Sequence, residues 1–149
     1  MSDSTPLLVT APEDIRAIAA AARRVAVLGM RPENHADRPA FYVPKYLHDA
    51  GVAIFPVPTQ ADPPATILGQ PTHARVSDIA PAVDVVVVFR RPDDLPAHLD
   101  DLRAARPRCV WLQSGIRHDV FAETLTRDGI RVVQDRCLMV EHRASRGPR

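Results

Sequence analysis

Short, almost wholly apolar runs recur along the chain, and segments of helical length and spacing lie between them. Val25-Ala-Val-Leu-Gly29, Val52-Ala-Ile-Phe-Pro-Val57, Val83-Asp-Val-Val-Val-Val-Phe89, Cys109-Val-Trp-Leu112 and Ile130–Val133 read as strands buried on both faces. The run at Val83 is the strongest, because it is β-branched almost throughout. Ile15, Ile18, Ala19 and Ala22 fall on one helical stripe before the first strand. Val43, Tyr46, Leu47 and Ala50 form a second stripe, with Gly51 at the place of a helix C-terminal glycine. Leu95, Leu99 and Leu102 follow an Asp93/Asp94 start, and Phe121, Ala122 and Leu125 precede Gly129. Strands alternating with crossover helices predict an α/β fold with a parallel sheet, right-handed crossovers and helices on both faces. The expected architecture is a Rossmann-like, doubly wound, mainly parallel sheet of roughly five or six strands. Locally, Thr10-Ala-Pro-Glu13 reads as a capping box, Pro58–Pro71 as irregular, Thr72–Arg75 as a short edge strand and Val76–Ile79 as a helical turn. Residues 1–23 are expected to place a helix on the domain, 24–142 to form the domain, and 143–149 to be a frayed basic tail.

A chain of 149 residues fits a single domain, with enough length for a core that needs neither disulfides nor a metal. Its 46% hydrophobic and 25% charged residues exclude intrinsic disorder. A formal net charge of +1 gives no broad electrostatic reason to bind nucleic acid or an anionic membrane. No apolar stretch approaches the ~20 residues of a membrane helix. The opening MSDSTPLL lacks the basic region of a secretory signal, and Cys109 and Cys137 fit no metal-ligand spacing, so the expected place is the cytoplasm with both thiols reduced. Lys45 is the only lysine; every other basic residue is arginine, the better fork for phosphates and carboxylates.

In an open α/β sheet, ligands bind outside the carboxyl ends of the strands, where the strand order reverses. Four segments reach that end: Gly29–Pro39, Pro56–Gln60, Phe89–Pro92 and Gln113–Ile116. The first holds one glycine rather than the G-x-G-x-x-G of a dinucleotide site, and the second ends in Pro-Val-Pro-Thr-Gln60 rather than an acid for ribose hydroxyls. No G-K-[ST] of a P-loop occurs. What these loops do carry is Arg31, Arg38, Arg90 and Arg91, with a helix opening near Ala40 whose amide end suits a phosphate. An anionic, nucleotide-like ligand is one reading of these arginines; solvated loop residues are the other.

Four stretches, Arg38-Pro-Ala-Phe-Tyr-Val-Pro-Lys-Tyr-Leu47, Val83-Asp-Val-Val-Val-Val-Phe-Arg-Arg91, Val110-Trp-Leu-Gln-Ser-Gly-Ile116 and Asp135-Arg-Cys137, give the chain a further likeness. In that order and spacing it resembles the stand-alone bacterial CoA-binding proteins, relatives of the amino-terminal CoA-binding domain of the succinyl-CoA synthetase α subunit. The resemblance spans about residues 24–142. It implies CoA or acyl-CoA held across the strand-end crevice. Gly29, Met30 and Arg31 would line the pyrophosphate side, with Arg38 entering from the loop. Phe89 and Arg90 would lie by adenine and ribose; Leu112, Gln113, Ser114 and Gly115 would meet pantetheine or diphosphate, and Pro58 completes the set. The chain departs from the family at Ala40, where serine is common, and at Tyr42, where a basic or polar residue is usual. It departs again at Pro58-Thr-Gln60, where a lysine often follows the second strand. The synthetase's phosphorylated-histidine domain has no counterpart within these residues, so the resemblance implies binding rather than ligation.

His35, His48, His73, His98, His118 and His142 include no metal-binding i, i+4 pair. His118 is expected at an exposed helix start, Cys137 as a buried thiol with a mixed disulfide to CoA as the rival role, Asp84 as a backbone or cap contact, and Trp111 as core or dimer packing. The partner expectations are a small CoA ligand and, from the aromatics, a homodimer. Two other functions remain open at this point: a nucleotide-dependent oxidoreductase or acyl-transfer enzyme, and a regulatory module that recognises another protein.

Overall fold

The computed structural model describes residues 6–147; the first five residues and the last two of the expected tail lie outside the described part. Five parallel strands form the main sheet: β1 (Arg24–Leu28), β2 (Ala53–Val57), β5 (Val85–Val88), β6 (Cys109–Leu112) and β7 (Arg131–Val133). Their order is β2-β1-β5-β6-β7. The strand order therefore reverses between β1 and β5, and the crevice above that pair is the switch point. A two-stranded antiparallel hairpin, β3 (Thr66–Ile67) and β4 (Gln70–Pro71), completes the strands.

Strand parity assigns the two cores. Val25, Val27, Val85, Val87, Cys109, Trp111 and Val133 pack on one face against α1 (Pro12–Ala21), α2 (Pro39–Asp49) and α5 (Leu138–Ser145). Ala26, Leu28, Val86, Val88, Val110, Leu112 and Val132 pack on the other face against α3 (Leu99–Ala105) and α4 (Asp119–Arg127). Because β1, β5 and β6 are covered on both faces, they have no wet side, which is why their sequences are continuously apolar rather than alternating. Asp84 is the exception, and it is put to use. Its Oδ2 accepts from the backbone amides of Arg23 and Arg24 at 2.9 and 3.0 Å, tying the amino ends of β1 and β5 together.

The sheet edges are managed by the chain itself. Leu8 bridges Val132 in parallel, with Val9 N donating to Val132 O and Val132 N to Leu7 O, so the segment before α1 extends the sheet beyond β7. At the other edge β1 is the paired strand of β2 among the described residues. The backbone of Pro56 faces away from β1, its carbonyl accepting from His73 N at 2.9 Å, so the proline lies within the strand without costing it a ladder bond.

Several local expectations are corrected. Helix α1 is capped at Ala11 with no side-chain bond, because Pro12 sets the first helical position and leaves Thr10 one residue too early for a capping box. The strand pairing falls at Thr66–Ile67 and Gln70–Pro71, inside the segment expected to be irregular, and not at Thr72–Arg75. Leu68 and Gly69 both have positive φ, the conformation of a tight two-residue hairpin turn. The helix expected from Asp93 is broken into 3₁₀ turns at Pro92–Asp94 and Pro96–His98 before α3 begins, since each proline withholds an amide donor. Helix α5 is absent from the sequence reading altogether. It runs through Ser145, into the segment expected to be frayed, where Arg143 stacks over the Tyr46 ring and buried His142 Nδ1 meets the Tyr46 hydroxyl at 3.0 Å.

Candidate functional site

The crevice at the β1/β5 switch point has a volume of about 480 Å³ and opens between α2 and the ends of β5 and β6. That is within the range of small-molecule sites. A hollow of about 170 Å³ adjoins it above β2 and shares Gly29, Arg31 and Arg90 with it. Another cavity, of about 210 Å³, lies at the amino ends of β5 and β6 beneath α1, the wrong end of a parallel sheet for a ligand of this fold.

The floor is set by Gly29. Its φ is +87°, its amide donates to Val57 O at 2.8 Å, and a Cβ there would run into the carbonyl oxygen of Phe89. Glycine lets the chain leave β1 and cross close over the end of β5. The loop that follows is pinned to α2 by a bond the sequence reading missed. Pro44 lies inside α2 and has no amide to offer Ala40 O, one turn earlier; Arg31 N takes that carbonyl at 3.1 Å instead. Glu33 accepts from Leu68 N at 2.9 Å, so the β3–β4 hairpin braces the loop from outside.

Four arginines line the crevice, Arg31, Arg38, Arg90 and Arg91, and no carboxylate does. Arg31 and Arg38 are exposed, and their guanidinium groups have no hydrogen-bond or ion-pair partner among the described residues. Arg38 is the N-cap residue of α2, and that helix start has no side-chain cap. Arg90 is half-buried and held: Nε donates to His98 Nε2 and Nη1 to Thr59 Oγ1, both at 3.2 Å, and Nη2 lies 3.7 Å from Asp94 Oδ2. Arg91 also pairs with Asp94.

The far wall is built from the turn after β6 and the start of α5. Gln113 is buried, and its Oε1 accepts from Leu138 N at 2.7 Å. That bond fixes which end of the amide faces back to α5 and leaves Nε2 without a partner among the described residues. Asp135, at φ +56°, accepts from Gly115 N at 2.7 Å, and the Trp111 indole donates to Arg136 O at 2.8 Å. Cys137, the N-cap residue of α5, lines the crevice half-buried. Cys109 lies in the core, where burial pushes its thiol up to about 12, so it stays protonated and unreactive.

Of the sequence-derived set, Gly29, Arg31, Arg38, Phe89, Arg90, Gln113, Ser114 and Gly115 come together around the crevice. Met30 borders only the adjoining hollow and is 1% exposed in the core, while Leu112 is wholly buried on the α3–α4 face. Pro58 is buried and lines neither space. Those three are not crevice-wall side chains. His118 caps α4, its Nδ1 accepting from Phe121 N at 3.1 Å, and stays out of the crevice. Pro39 and Ile116 lie in the strand-end segments read from the sequence, and Ala40 at the helix opening, though none was in the residue set. Tyr42 and Val43 were missed as lining residues, and the helical register of α2 carried the signal for both. Tyr42 is the exposed aromatic among the described residues, and it belongs to the crevice. No helix of the described residues is long and apolar enough to cross a membrane.

A doubly wound parallel sheet with an arginine-lined crevice at its switch point defines a class, the Rossmann-like α/β proteins. Residues 23–143 match the family described as CoA binding domain, and the chain belongs to that family. It is 30% identical over 129 residues to the uncharacterized protein YneT of Bacillus subtilis (strain 168), covering 87% of this chain and 92% of that one. Among solved structures, a Thermus thermophilus protein (cell-free ID.343) is 41% identical with a TM-score of 0.81, over 91% of this chain and 99% of that one. A hypothetical protein from Pyrococcus horikoshii OT3 is 26% identical with a TM-score of 0.81, over 99% of this chain and 100% of that one.

Proposed function

We propose that this chain binds CoA or an acyl-CoA in the switch-point crevice, as a binding protein rather than a catalyst. The observation that carries the reading is the charge of the wall: four arginines and no carboxylate, beside a helix start with no side-chain cap. CoA presents a diphosphate and a 3′-phosphate, and guanidinium groups meet phosphate oxygens in bidentate, charge-assisted bonds. The crevice and its adjoining hollow continue from the end of β2 to the start of α5, a shape suited to an extended ligand. On the α5 side, Tyr42, Val43 and Ile116 offer apolar surface and Gln113 Nε2 a donor, which suits the amide-bearing pantetheine arm.

The test has two arms. Ligand released on denaturing freshly purified protein is identified by mass spectrometry, and CoA, NADP and ATP are compared by thermal shift. CoA at about 100 times its Kd contributes about 2.7 kcal/mol, or a Tm rise of roughly 5–10 °C for a chain of this size. No shift with CoA, or a larger one with NADP or ATP, overturns the reading. Arg38→Ala is expected to weaken CoA binding by about 1.5–3 kcal/mol, the worth of a hydrogen bond to a charged group. Calorimetry checks it, and an unchanged Kd removes Arg38 from the site.

A further inference from the structure

Arg90 is the crevice arginine with a built support. Its guanidinium has five donors and can accept nothing, so the ring nitrogen facing its Nε at 3.2 Å must offer a lone pair. His98 is therefore neutral in this arrangement, with its proton on Nδ1 and Nε2 free to accept. It ends the 3₁₀ turn Pro96–His98, fastened by His98 N to Leu95 O at 2.9 Å, and it does not itself line the crevice. Thr59 and Asp94 hold the two terminal nitrogens from other sides. With those positions taken, the remaining guanidinium donors are left for a ligand.

We propose that His98 is a positioning residue for the ligand site: as a neutral acceptor it holds the Arg90 guanidinium in the crevice, and on taking up a proton it releases it, so that ligand binding weakens in acid. This rests on the CoA reading above. Three charged groups face the ring: Arg90 at the end of β5, Asp94 in the preceding 3₁₀ turn and Asp101 on α3. Burial first, and then the Arg90 charge, hold the imidazole below the ordinary histidine range, while the two aspartates act the other way. The neutral form thus prevails at neutral pH, and the change falls on the acid side of about 6.5. Protonation also adds a positive charge, which by itself favours an anionic ligand. That charge stands behind Arg90 rather than in the wall, with Asp94 and Asp101 facing it, so loss of the short-range hydrogen bond outweighs it.

CoA binding to the full chain is measured by calorimetry at about pH 7.5 and at a lower pH about one unit below the ring's own midpoint as read by NMR, for wild type, His98→Gln and His98→Leu. Glutamine keeps an acceptor near the place of Nε2 but does not titrate. At the higher pH, His98→Gln is expected within about threefold of wild type, and His98→Leu weaker than both; at the lower, wild type falls behind His98→Gln by roughly three- to tenfold. The ligand's own phosphate monoester gains a proton near pH 6 with every protein, so it cancels in the ratio. An equal acid-side loss in wild type and His98→Gln, or tighter wild-type binding in acid, overturns the proposal. Nitrogen NMR of the ligand-free chain decides the support separately: Nε2 should be the unprotonated nitrogen, and Arg90→Leu should raise the midpoint of the ring. CoA binding with Nε2 protonated overturns the role of His98 alone. Failure of CoA to bind at either pH overturns the CoA reading and the ligand half of this proposal, whatever the ring shows.

Discussion

Gly29→Ala is expected to destabilise the chain by about 2–5 kcal/mol and to abolish ligand binding in whatever folded protein remains. Two costs add. At φ +87° an alanine adopts a left-handed backbone, which costs about 1–2 kcal/mol. Its Cβ would also meet the Phe89 carbonyl, with Phe89 C at 3.2 Å and Arg90 Cδ at 3.3 Å behind it. The carbonyl oxygen is main chain at the end of β5, so it cannot swing aside as a side chain does, and overpacking of that kind costs about 1–3 kcal/mol. Relief comes only by parting β1 from β5, which shifts Arg90 out of its bonds to His98 and Thr59. Gly51→Ala is the control: its φ is +92°, but a Cβ there meets nothing within 4 Å, so only the backbone cost applies. Urea unfolding of the two variants separates them. Equal midpoints would show that close approach at the switch point is not what glycine serves at position 29.

The parts of the fold legible in the sequence were those fixed by short-range pattern. Strand β6 begins and ends where its apolar run does, at Cys109 and Leu112, and Gly51 and Gly129 both take the positive φ expected after a helix. Helix α5 escaped because nothing local announces it. Leu138 to Ser145 has no cap box and no proline start, and eight residues are too few to hold a helix alone. Its support is tertiary: Gln113 Oε1 on its first amide, Leu138 in the core, and the Tyr46 hydroxyl on His142.

The crevice divides in the same way. Arginines at strand ends can be read from the order of elements, because the topology alone brings Arg31, Arg38 and Arg90 to one end of the sheet. Which residues turn inward is a matter of parity, and the resemblance-based set overlooked it. Leu112 shares the face of Val110 and Val88, so it had to enter the α3–α4 core. What no local pattern shows is the bracing: Arg31 N on the carbonyl freed by Pro44, Asp135 on Gly115 N, Gln113 on Leu138 N. Each joins residues that only the folded chain brings together.

Trp111 joins the core to the crevice wall, and two substitutions there are expected to separate its roles. The side chain is wholly buried, and its indole N–H donates to Arg136 O at 2.8 Å, on the loop that delivers Cys137 and the start of α5. Trp111→Ala removes the largest buried side chain and should cost about 3–5 kcal/mol in unfolding free energy. Trp111→Phe keeps most of the ring volume and loses the donor. Arg136 is exposed, so water can reach for the carbonyl left behind, and the cost should stay near 1–2 kcal/mol. The cavity therefore dominates stability, whereas the hydrogen bond governs where the β7–α5 loop lies. On the CoA reading, Trp111→Phe should weaken ligand binding more than its small stability loss accounts for, because binding the ligand would then also have to order Arg136 and Cys137. Calorimetry on the folded phenylalanine variant is the measurement. A wild-type Kd there would mean that Gln113 and Asp135 hold the wall without help from the indole, and would confine Trp111 to the core.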